Sequence, residues 1–156
     1  MIEFLKGRLA EKNPSYVVVD CNGIGYYVNI SLNTFSVLGE GEAVNLFTHL
    51  AIREDAHVLY GFADKEERAF FRQLISVSGV GASTAQMVLS SLAPSEAMSA
   101  IINGDVATLQ SVKGIGGKTA QRIIIDLKDK IAKIEVNADI SLNAHNTSRQ
   151  EALSAL

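Results

Sequence analysis

A chain of 156 residues that is 47% hydrophobic carries the apolar material for one ordinary domain or two small ones, which excludes disorder over most of its length. A single Cys21 and three scattered histidines, His49, His57 and His145, exclude an internal disulfide and offer no metal-ligand spacing. The net charge of −3 argues against a nucleic-acid protein, but residues 1–62 hold four basic and seven acidic side chains, residues 63–135 nine and eight, and residues 136–156 one and two, so the middle is where a polyanion would go.

The N-terminus, MIEFLKGRL, lacks the apolar core of a signal peptide, and no window approaches the roughly 18 to 20 apolar residues of a membrane helix. The expected setting is a reducing cytoplasm with no membrane partner. Without export, the glycosylation-like triplets Asn29-Ile30-Ser31 and Asn146-Thr147-Ser148 are coincidental strings.

Residues 1–62 read as β-structure, from the stretch holding Ile2, Phe4, Leu5 and Leu9 through Tyr16-Val17-Val18-Val19 and Tyr26-Tyr27-Val28-Asn29-Ile30. Asn22-Gly23 is the pair that best tolerates the positive φ angles of a tight hairpin. A further strand pair, Ala43–Ile52 and Ala56–Phe62, is separated by Arg53-Glu54-Asp55. Five or six such strands predict a small barrel of the oligonucleotide-binding (OB) type.

At Asp64 the spacing turns helical, with Asp64 as N-cap and Glu66 and Glu67 in the first turn, where carboxylates favour the positive end of the helix dipole. Helices continue to about Ile134: Pro94 fits just inside a helix start, and Asn103-Gly104-Asp105 ends one helix and caps the next. The predicted fold is therefore α+β and multidomain, with the barrel at 1–62 and an all-helical domain at 63–136. Residues 137–148 read as a linker, and residues 149–156 as the opening of a further helix that stops abruptly, as in a truncated chain.

The helical part repeats. Leu74 to Leu89 and the segment 35 residues later, Leu109 to Ile124, are identical at eight of sixteen positions. Each copy reads as helix, sharp turn, helix, with turns at Gly79-Val80-Gly81 and Gly114-Ile115-Gly116 and second helices starting near Ser83 and Lys118. Glycine permits the strained backbone of such a turn and leaves no Cβ between main chain and ligand. The branched residue between the glycines can pin the turn to the helices, and the free N–H groups beside it, aided by the helix dipole, form a cradle for one phosphate. A single Gly-x-Gly is ordinarily just a helix C-cap; two copies with Thr84-Ala85 and Thr119-Ala120 at equal offsets, Lys118 beside one turn and Arg122 one helical turn on, point to grip on a nucleic-acid backbone without sequence preference. The spacing is that of the helix-hairpin-helix motif.

Other motifs fail. Gly116-Gly117-Lys118-Thr119 ends like a P-loop, but the glycine required five places before Gly117 is Val112, and the third glycine of a dinucleotide fingerprint is Thr84 or Thr119. No cofactor is expected, and no Ser/His/Asp or Cys/His arrangement has supporting context. His49 and His57 read as surface or half-buried strand residues. Glu54-Asp55 reads as a solvated charged turn or as a functional acidic pair.

The ordered set of an N-terminal strand domain, Ile52-Arg53-Glu54-Asp55-Ala56, Leu59-Tyr60-Gly61-Phe62 and two helix-hairpin-helix units closely resembles the RuvA family over essentially the whole chain. The resemblance implies a bacterial, non-catalytic subunit whose homotetramer, singly or as two tetramers face to face in an octamer, holds a four-way DNA junction open and flat. It implies partnership with the ATP-driven motor RuvB, through a third domain of which only the start at 149–156 is present, and with the resolvase RuvC. By position, Glu54 and Asp55 resemble the family's acidic pin at the strand crossover, where carboxylates facing phosphates lower affinity for continuous duplex. Gly79, Val80, Gly81, Ser83, Thr84, Gly114, Ile115, Gly116, Gly117, Lys118, Thr119 and Arg122 match the contacts to the duplex arms. Many relatives carry a basic residue where this chain has Ser83.

Two rival readings share parts of this pattern. A helix-hairpin-helix repair enzyme, glycosylase or nuclease, needs a catalytic Lys or Asp beyond the hairpin, and Asp126, ten residues after Gly116, reads instead as a solvated helix-face residue. A non-specific duplex-binding module or a protein-interaction domain would share the helical pattern without junction selectivity.

Overall fold

A computed structural model describes residues 1–133. The linker read at 137–148 and the helix start read at 149–156 lie outside the described residues.

Five strands, β1 (Phe4–Lys12), β2 (Tyr16–Cys21), β3 (Ile24–Ile30), β4 (Ala43–Ile52) and β5 (His57–Phe62), close into a barrel in the order β1-β2-β3-β5-β4. Four pairings are antiparallel; β3 and β5 run parallel, with Val28 opposite Leu59. This is the five-stranded OB-type topology expected from the turn spacing. The β2–β3 turn has φ of 55° at Asn22 and 92° at Gly23, the positive pair a two-residue hairpin requires. Alternation fills the barrel: Val17, Val19, Val28 and Leu46 are fully buried inside it, with Leu5, Ile30, Val44 and Leu59 around them.

The expectation of unbroken β-structure to residue 62 is corrected by a helix, α1 (Leu32–Leu38), between β3 and β4. Ser31 caps it, its hydroxyl accepting from Thr34 N, and Gly39 ends it at a φ of 61°. Phe35 and Leu38, three residues apart, pack against the barrel core.

The helical region comprises α2 (Lys65–Ile75), α3 (Ala82–Ser91), α4 (Pro94–Ile102), α5 (Val106–Gln110) and a helix α6 running from 117 to the last described residue, 133. Its starts follow the sequence signals. Asp64 caps α2 by accepting from Glu67 N, Pro94 opens α4, and Asp105 caps α5 by accepting from Thr108 N after Gly104 turns the chain at a φ of 67°.

Strand β5 serves both halves. Leu59 points into the barrel, while Tyr60 and Phe62 join the helical core, where Phe71 lies 5.2 and 4.9 Å from their ring centroids. Fully burying a side chain such as Phe62, Phe70 or Phe71 contributes about 1.5–3 kcal/mol, so this aromatic cluster is a main adhesive of the seam. Two charged side chains, Glu67 and Arg68, are buried at the same seam.

Candidate nucleic-acid interface

The sequence repeat becomes a repeat of geometry. Leu74 and Leu109 accept from Val77 N at 3.1 Å and Val112 N at 3.2 Å, and Val77 and Val112 in turn accept from Val80 N at 3.0 Å and Ile115 N at 3.2 Å. Gly79 and Gly114 then take φ values of 89° and 93°. An L-residue in this left-handed region loses about 1–2 kcal/mol, so the first glycine of each turn is demanded by the backbone. The branched residues point inward: Val80 and Ile115 are each 5% exposed and belong to the helical core. Gly81 and Gly116 accept the first bond of the following helix, from Ala85 N at 3.0 Å and Ala120 N at 2.9 Å.

The second glycines have a different reason. Gly81 has an ordinary φ of −91°, and a Cβ built on Gly81 or Gly116 would meet nothing within 4 Å. Neither fold nor crowding requires glycine there; what its absence of side chain provides is an open approach to the main chain. No side chain caps α3, which leaves the amides of its first turn facing the approach. Ser83 and Lys118 are exposed at equivalent positions, with Thr84 and Thr119 half-buried behind them. Gly117 is half-buried because Gln110 Nε2 takes the space of its Cβ, at 2.9 Å.

Arg122 links the two units. From the second its Nη1 donates to Ser78 O at 3.3 Å, in the first turn, and lies 3.8 Å from where a Cβ of Gly79 would sit. The helix that follows the second turn therefore reaches the first turn through one guanidinium. Lys118, Gln121, Arg122, Ile125 and Asp126 line a shallow groove along the exposed face of α6. Asp126 is exposed on that helix.

In the barrel, Arg53 N donates to Ala56 O at 2.8 Å and closes the β4–β5 hairpin just beyond the last pair, Ile52 with His57. Glu54 and Asp55 sit at its tip, exposed, and neither is in an ion pair among the described residues. The structure thus brings Arg122 of the second unit to the Ser78-Gly79 turn of the first, while Glu54 and Asp55 lie on the β4–β5 hairpin of the barrel. Among the described residues no three His, Cys, Asp or Glu side chains cluster closely enough to hold a metal ion, and no helix is long and apolar enough to cross a membrane.

Comparison with known proteins matches residues 1–61 to the RuvA N terminal domain and residues 71–129 to the SAM-like helix-hairpin-helix tandem. A protein named Holliday junction branch migration complex subunit RuvA from Christiangramia forsetii is 62% identical over 156 residues, all of this chain and 81% of that protein. Proteins of the same name from Flavobacterium psychrophilum and Bacteroides fragilis are 55% identical over 156 residues and 57% identical over 131, covering 81% and 65% of their own lengths. The chain belongs to the RuvA family. In this RuvA family member the N-terminal match ends within β5, the strand shared by both cores, and the tandem match takes in both turns and most of α6.

Proposed function

We propose that the protein binds four-way DNA junctions without sequence preference and holds them open and flat in the bacterial cytoplasm, so that the ATP-driven motor RuvB can migrate the branch point. It does so as a subunit with no catalytic groups or cofactor of its own, in a homotetramer or in a pair of tetramers, with the resolvase RuvC as a further partner. The observation that carries this reading is the pair of matching turns, at Gly79–Gly81 and Gly114–Gly116, which leave main-chain amides open at helix starts.

In this reading each turn, with Val80 or Ile115 pinned in the core, presents its N–H groups to one phosphate of a duplex arm. Ser83 and Thr84 add hydroxyls at the first turn; Gly117, Lys118, Thr119 and Arg122 add an amide, a hydroxyl and two cations at the second. Phosphate contacts position a duplex and carry no base information, so every arm of a junction is gripped alike. Selectivity comes from Glu54 and Asp55. Their carboxylates repel phosphates of a continuous duplex and are accommodated only where strands diverge at a crossover.

The test is equilibrium binding to a four-way junction and to linear duplexes of the same sequences, with solution mass recorded. Tighter junction binding by a tetramer, independent of sequence, is expected. Equal affinity for junction and duplex would overturn the proposal.

A further inference from the structure

Barrel and helical region are joined by two consecutive charged residues in the first turns of α2. Glu67 is 1% exposed and Arg68 6%. Glu67 takes hold of α1: its Oε1 accepts from Ser31 Oγ at 2.8 Å and its Oε2 from Thr34 Oγ1 at 3.0 Å. Ser31 is itself the cap of α1, so this carboxylate is tied to the start of that helix. Arg68 takes hold of the sheet. Its Nη1 donates to Glu3 O at 2.8 Å and Thr48 O at 3.3 Å, its Nη2 pairs with Glu3 Oε1 at 2.7 Å, and its guanidinium lies 5.7 Å from the Phe47 ring centroid.

Burying charge is a costly way to hold two units together, since well-packed apolar side chains of similar volume generally do as well or better. Hydrogen-bonded charges provide direction instead: they accept one relative placement and penalise the rest. For Glu67 the cost is visible, because burial, opposed by the two hydroxyls, still raises its carboxyl pKa from its ordinary value. The seam also connects the two candidate DNA-contacting parts mechanically. Thr48, held by Arg68, lies on β4, whose far end carries the Glu54-Asp55 tip, and α2 leads directly into the Gly79 turn.

We propose that Glu67 and Arg68 are positioning residues for junction recognition: by fixing how the helical region sits on the barrel, they set the spacing between the acidic tip and the two turns, and so the preference for branched over linear DNA. This rests on the DNA-binding reading above. Duplex grip needs only the turns, whereas junction preference needs the tip and the turns at one fixed separation.

The Arg68→Met and Glu67→Ala variants, each confirmed folded by thermal unfolding and solution mass, are compared with the native chain for binding to duplex and to a four-way junction of the same sequences. The junction-to-duplex affinity ratio falls about tenfold while duplex affinity stays within about twofold. Glu67→Gln, whose amide still bonds both hydroxyls, keeps most of the ratio, and Arg68→Lys, which retains charge without the planar fork, falls between; these two serve if the harsher variants do not fold. An unchanged ratio in Arg68→Met or Arg68→Lys, or equal losses on both DNAs, overturns the positioning role. A native chain with no junction preference overturns the functional reading beneath it and is recognised before any variant is made.

Discussion

Residues 74–89, around the first turn, carry no charged side chain, whereas residues 109–124, around the second, carry Lys113, Lys118 and Arg122 where the first has Ser78, Ser83 and Met87. The backbones nevertheless agree through the turns, from the Val77 and Val112 bonds to φ values of 89° and 93° at Gly79 and Gly114. Conformation is thus set by what the two copies share, the inward Leu, Val and Val or Ile and the positive-φ glycine, and not by charge. Charge is what differs, and the first turn compensates in part by receiving Arg122 of the second at Ser78 O. From its own residues the first turn offers amides and hydroxyls; the second adds ions.

The largest expected effect tests what the copies share. Ile115→Ala and Val80→Ala each leave a cavity in the helical core and lower stability, Ile115→Ala by about 2–5 kcal/mol and Val80→Ala by less because one fewer carbon is lost, as read from denaturant midpoints. Next come the glycines. Gly79→Ala and Gly114→Ala each cost about 1–2 kcal/mol of stability through the positive φ, while Gly81→Ala and Gly116→Ala, with open space around the new methyl, leave stability nearly intact and weaken DNA binding. Comparable stability losses at Gly81 and Gly79 would break the division of roles between the two glycines.

Where the copies differ, the readout is salt. Lys118→Ala reduces the slope of log affinity against log salt by about one unit for every sequence alike, whereas Ser83→Ala leaves the slope unchanged, and Ser83→Lys raises it by about one, bringing the first turn towards the second. The smallest effect lies outside both turns. Half-buried His49, whose Nδ1 accepts from Arg72 Nε at 3.2 Å, has its pKa lowered by burial and then by Arg72 and Arg68. A lowered folded value means that protons bind the unfolded chain more readily, so its contribution is intact above the ordinary value of 6.5 and is lost as pH falls below it. His49→Gln flattens that part of the melting-temperature profile.

Much of the fold is legible in the amino-acid sequence. Asn22-Gly23, the Asp64 cap, Pro94 and Gly104-Asp105 each carry a local backbone requirement, and local requirements survive folding. Helix α1 is not legible, because it is only seven residues long and holds Thr, Phe, Val and Asn, so its single cue, Ser31 ahead of Leu32, Phe35 and Leu38, is weak against the strands on either side. Glu67 reads, beside Glu66, as a dipole carboxylate. The two separate only in three dimensions, Glu66 exposed and Glu67 buried, although the spacing of Glu67 to Phe71 and Leu74 already puts it on the apolar face. Both turns are legible because they repeat; Arg122 reaching from one to the other is not, because no periodicity encodes a contact between units.

The division of labour between grip and selectivity is tested most directly by the double variant Glu54→Gln with Asp55→Asn, titrated against duplex and four-way junction in parallel. With its tip carboxylates neutralised and both turns untouched, the chain binds plain duplex more tightly than the native protein does, and its junction-to-duplex ratio collapses. A ratio equal to that of the native chain would contradict the account.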